Sequence, residues 1–102
     1  MSQIDPTDIR SQERANAELD ERQRLAAKTW EVDLKWLMSD KRGRRIAARL
    51  LDRSGLDRPS FDTNTASMAM KEGFRWFGLW LKGELEIHCF DRFIEMLKEQ
   101  RQ

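Results

Sequence analysis

One cysteine, Cys89, and one histidine, His88, stand in a chain of 102 residues. A lone cysteine excludes an internal disulfide and suits a reducing compartment such as the cytoplasm. A zinc site would need further Cys or His ligands, and neighbouring helical positions point roughly 100° apart. His88 and Cys89 are therefore expected to be structural, not a metal site or a nucleophile and its base. Long apolar runs are also missing. Nothing approaches about 18 consecutive apolar residues, which excludes a membrane-spanning helix, and the polar stretch Met1 to Asp20 lacks the apolar centre of a secretory signal. No charge of one sign dominates: 19 basic residues face 18 acidic ones. The chain as a whole has no strong pull on nucleic acid or membrane, so any such pull is local. No glycine-rich phosphate loop and no strand pattern occurs. Carboxylate pairs such as Glu84 with Glu86, or Asp91 with Glu95, come without a recognisable cleft and support no acid–base assignment. A chain this short supports one small core, too modest to surround a large cofactor. No cofactor, no metal and no enzymatic activity are expected, and a binding or assembly role leads.

What is present is helical. Asp5-Pro6-Thr7-Asp8 reads as a helix start, with Asp5 as N-cap and Pro6 fixing the first turn. From there to about Lys28 the chain is rich in Glu, Arg, Gln and Ala. Ile9, Leu19 and Leu25 are too few for a buried stripe, so residues 1–29 form a charged arm expected to be helical only when docked. Residues 30–102 form the core domain. Trp30 to Met38 supplies a first core helix, and Ser39 offers a cap for a second from about Asp40 to Ser54, ended by Gly55. Pro59 marks a loop from Asp57 to Asp62 with Phe61 plugging it onto the core. Thr63 or Asn64 caps a third helical stretch running through Phe74 to Leu81 towards Ile87, and Phe90, Phe93, Ile94 and Leu97 form a last amphipathic set. The fold class is all-α: a small single domain of three to four helices, its core drawn from Trp36, Leu37, Ile46, Leu50, Leu51, Phe61, Phe77, Leu81 and Phe93, preceded by the arm.

Two stretches carry chemistry. Asp40-Lys41-Arg42-Gly43-Arg44-Arg45, followed by Arg49 and Arg53, places arginines at helical spacings of three and four. Between Trp30 and Arg58 eight basic residues face five acidic ones. A helix start bearing guanidinium groups can hold phosphate, which makes Lys41, Arg42, Arg44, Arg45 and Arg49 candidate nucleic-acid contacts. The alternative is a solvated face with salt bridges to the acidic arm. The second stretch, Phe74 to Leu81, is apolar almost all round, so it is either the centre of the core or a subunit contact. Phe74, Trp76, Phe77 and Trp80 are the candidate protein interface. Base stacking by Trp76 and Trp80 is a further option that large aromatics at helical spacing seldom serve. Gly73, Gly78 and Gly83 each cost a helix about 1 kcal/mol relative to Ala. Either another helix approaches closely there, or the helix is broken.

The run from Asp33 through Trp36 and Asp40 to Arg45, then Leu50-Leu51, Ser54-Gly55, Ser60-Phe61, Asn64, Glu72-Gly73 and Gly78-Leu79, resembles a family of short tailed-phage proteins of the Bordetella podophage type. The resemblance covers Val32 to Leu81. It departs at Ile46-Ala47-Ala48 and in the aromatic content of Phe74 to Trp80. Members are encoded among head, portal and packaging genes. The resemblance implies a structural or assembly protein in the host bacterial cytoplasm or the virion, with head, portal or packaging proteins or further copies of itself as partners. It brings no catalytic residue. The alternative is a small DNA-binding protein using the basic helix 41–53.

Overall fold

The computed structural model describes residues 6–102, with side chains described from Asp8 onward. Four α-helices follow one another: α1 (Pro6–Ser39), α2 (Lys41–Arg53), α3 (Thr65–His88) and α4 (Phe90–Gln100). No strand occurs among the described residues, and the fold is all-α. The chain divides between Val32 and Asp33 into two units.

In the first unit every residue from Asp8 to Trp30 is exposed. The segment is helical although its side chains are unburied. Ala, Glu, Arg and Gln lose little side-chain freedom in a helix, and pairs one turn apart such as Glu21 with Arg24 add support. The expected N-cap, Asp5, lies outside the described residues.

The second unit is assembled around Leu34, Met38, Ala47, Leu51, Leu81, Leu85, Cys89, Phe93 and Met96, with Leu37, Ala48, Leu56 and Ile94 packed against them. Of the expected core, Leu51, Leu81 and Phe93 are buried and Leu37 is half-buried. Trp36, Ile46, Leu50, Phe61 and Phe77 are exposed instead, Trp36 by 75% and Phe61 by 79%. In α2 the cause is a rotation of the helix. Its small residues face inward, Gly43 and Ala47 with Arg44, Leu51 and Ser54, and its bulky Ile46 and Leu50 face out. Close backbone approach, not side-chain bulk, makes this contact.

Helix ends follow from local chemistry. Asp40, not Ser39, caps α2: its side chain accepts from the Arg42 backbone N–H at 2.7 Å. Ser39 instead donates its hydroxyl back to the Trp36 carbonyl at 2.6 Å. Gly55 adopts φ of 70°, the left-handed conformation that ends α2 as expected. Asn64 caps α3 by accepting from Ser67 N at 3.0 Å. Asp62 braces that turn, accepting from Asn64 N, Ser67 Oγ and Lys71 Nζ, each at 2.9 Å. These donors, the Asn64 amide first, hold its carboxyl far below the usual range. The buried Cys89 alone separates α3 from α4.

Candidate functional site

The basic motif at the start of α2 proves to be two different things on two faces. Gly43 lies against the end of α1, where an added Cβ would drive into the Leu37 carbonyl. Arg44, beside it, is buried. Its Nε donates to Glu99 Oε1 at 2.6 Å, one terminal nitrogen donates to the Met38 carbonyl at 2.9 Å, and the other stands 3.4 Å from Glu95 Oε1. One side chain thus ties residue 38, α2 and the last turns of α4 together, with all of these groups inside the second unit. The expectation that Arg44 faces a phosphate meets a guanidinium already enclosed by carboxylates. Arg44 shares its face with Ala47 and Leu51 at spacings of three and seven, a signal of burial legible in the sequence. Glu99, 55 residues away, carried no such signal.

Lys41, Arg42, Arg45 and Arg49 remain exposed on the other side of α2. Arg42 folds back on Asp40, with Nη2 3.1 Å from the carboxylate. Hydrogen bonds from Arg42 hold the Asp40 carboxyl below its ordinary value. The outward basic face therefore consists of Lys41, Arg45, Arg49 and Arg53 plus one partly neutralised arginine.

The larger exposed feature is apolar. Phe74, Trp76, Phe77 and Trp80 are 56%, 68%, 49% and 50% exposed, and Met70 and Ile87 join them at 60% and 76%. They occupy two neighbouring surfaces of one unbroken helix. Leu50, Arg53, Ser54, Met70, Gly73, Phe74 and Phe77 line an open groove of about 920 Å³ between α2 and α3. Round the helix from it, Trp76, Trp80 and Ile87 form an outward stripe almost opposite Leu81 and Leu85, which face the core. Phe77 joins the two surfaces, its ring centroid 5.8 Å from that of Trp80. All four residues expected at a protein interface are exposed, Phe74 and Phe77 along the groove and Trp76 and Trp80 round the helix, while the core is completed by Leu85, Cys89 and Met96.

No metal-holding cluster of His, Cys, Asp and Glu occurs among the described residues. His88 pairs with Glu84 at 3.3 Å beside an open depression of about 330 Å³. No described helix is long and apolar enough to cross a membrane.

Fold and surface together define a small helical protein whose most prominent outward feature is an aromatic face. Residues 34–98, almost the whole second unit, match the family described as Bbp19-like phage protein, and the chain belongs to that family. No curated protein and no solved structure matches it.

Proposed function

We propose that this chain is a non-enzymatic phage structural or assembly protein that acts in the host bacterial cytoplasm and docks on head, portal or packaging components through the aromatic face of α3. The observation that carries it is the exposure of Phe74, Trp76, Phe77 and Trp80 on one helix. Aromatic clusters of this kind dominate the energetics of protein interfaces and are disfavoured on surfaces that stay in water. Membership of a phage family supports the setting.

Quantitative mass spectrometry of purified particles beside infected-cell lysate tests the proposal, using phage that carry either the natural chain or a Trp76→Glu, Trp80→Glu variant. Incorporation of the natural chain at a fixed ratio to coat protein, or its co-purification with portal or packaging proteins, is expected. The variant should lose that association while staying folded. A natural chain absent from particles and from every assembly intermediate defeats the proposal. The competing DNA-binding role rests on Lys41, Arg42, Arg45 and Arg49. It predicts affinity for duplex DNA that falls steeply with salt, with a slope that flattens in Arg45→Ala, Arg49→Ala.

A further inference from the structure

We infer that the outward stripe of α3 is a self-association surface, on which a second copy of this chain packs its own α3 antiparallel. The inference rests on the proposed docking role of the same face and names its first partner.

Three observations lead there. The first is spacing: Gly73, Trp76, Trp80, Gly83 and Ile87 are separated by three, four, three and four residues. This is the seam of a two-helix coiled coil, with Phe77 and Leu79 widening it on either side. The seam lies away from Leu81 and Leu85, which face the core, and its Trp76, Trp80 and Ile87 are at least half exposed.

The second is the behaviour of the three glycines. Gly78 is explained within the chain, because Ser54 of α2 sits where its Cβ would be. Gly73 and Gly83 have nothing within 4 Å of such a Cβ. Both lie on the stripe, and each weakens α3 by about 1 kcal/mol relative to Ala. A helix laid across the stripe makes use of them. The stripe reads Gly, Trp, Trp, Gly, Ile, so parallel copies in register would stack tryptophan on tryptophan and glycine on glycine, leaving uneven layers. An antiparallel copy crossing at Trp80 sets Trp76 of one over Gly83 of the other and Gly73 over Ile87, with the two Trp80 side chains meeting on the axis.

The third is area. Trp76, Phe77, Trp80 and Ile87 are each at least 49% exposed. Aromatic side chains cover roughly 150–250 Å² each when fully exposed, so at these exposures the stripe and its flanks offer on the order of 500 Å² per copy, enough for a weak, concentration-dependent contact. A standard interface takes about 800 Å² per partner. The seam residues carry no charge, so a twofold copy brings no like charges together at its centre.

Sedimentation equilibrium of the full chain is the test, run beside Trp80→Glu and Gly83→Lys. A concentration-dependent dimer is expected, with its dissociation constant raised at least about tenfold in each variant. Gly83→Lys keeps the measurement interpretable, since lysine favours a helix over glycine and the variant should melt no lower than the natural chain when dilute. A natural chain that stays monomeric at every concentration reached, or a dimer indifferent to both variants, overturns the inference. Failure here is separable from failure of the docking role. A monomer still incorporated into particles in a Trp76- and Trp80-dependent way sinks self-association alone. A dimer absent from particles and intermediates sinks the docking role alone.

Discussion

The start of α2 and the middle of α3 dispose of their side chains in opposite ways. At Arg44 a charged group is buried, held by Glu99, Glu95 and the Met38 carbonyl, on a helix whose Ile46 and Leu50 face water. At Trp76 and Trp80 apolar groups are exposed on a helix that seals the core with only Gly78, Leu81 and Leu85. Both arrangements have one cause. Two close contacts inside the second unit are made where a glycine leaves room, for the Leu37 carbonyl at Gly43 and for the Ser54 side chain at Gly78. A small residue at the crossing point fixes which way each helix is turned, and the large residues follow that rotation whether or not it buries them. The most distinctive sequence motif thus builds a helix corner, and several of the bulkiest side chains are left facing outward.

The sharpest way to break this contrast is Gly43→Ala. The added methyl meets backbone, which cannot rotate aside, so a loss of about 3 kcal/mol or more is expected in urea unfolding. Next comes Arg44→Met against Arg45→Met. The first leaves the Glu99 carboxylate, only 15% exposed, without its partner. It should shift the urea midpoint clearly downward, whereas the exposed Arg45 substitution should stay within about 0.5 kcal/mol. Equal effects of the two would refute the division of the basic motif into an inner and an outer part.

The glycines of α3 offer a contrast in sign. Gly78→Ala should cost about 1–3 kcal/mol, because Ser54 is buried and its hydroxyl is held 2.6 Å from the Leu51 carbonyl. Gly73→Ala and Gly83→Ala, in dilute protein, should instead raise stability by up to about 1 kcal/mol each. Thermal melts of the three variants decide this.

The smallest effect concerns acid. Asp40, Asp62 and Glu95 have carboxyls held below their ordinary values by hydrogen bonds, Asp40 and Glu95 from Arg42 and Arg92 first, Asp62 from the Asn64 amide first. A folded-state value below the unfolded one of about 4 means that their contribution is complete above that pH and is lost as pH falls towards the folded value. Asp62→Asn should flatten the acid limb of the stability profile and leave neutral pH less stable. An unchanged acid limb would show that the α3 cap contributes nothing through its charge.

Much of the fold was legible because it depends on local signals. Asn64, Gly55 and Pro59 punctuate the chain where expected, and good helix formers carry α1. The core was legible at Leu51, Leu81 and Phe93 and misread at Trp36, Ile46, Leu50, Phe61 and Phe77. Ranking residues by bulk assumes that a helix turns its largest side chains inward, and the rotation of α2 violates that assumption. The exposure of aromatic groups on α3 was legible in outline, since an all-round apolar stretch exceeds what one core face can use. The fate of Arg44 was not, because its partner Glu99 lies 55 residues away in α4.

By itself the sequence determined the helical class, the caps and turns, the absence of a long apolar span and the kinship with a phage family. These depend on interactions within a few residues or on composition. Only the tertiary structure decided which face of each helix turns inward, that Arg44 is enclosed while Arg45 and Arg49 are not, and that the aromatic groups of α3 point out. Those outcomes depend on where one backbone can approach another, a property of pairs of helices that no single stretch of chain contains.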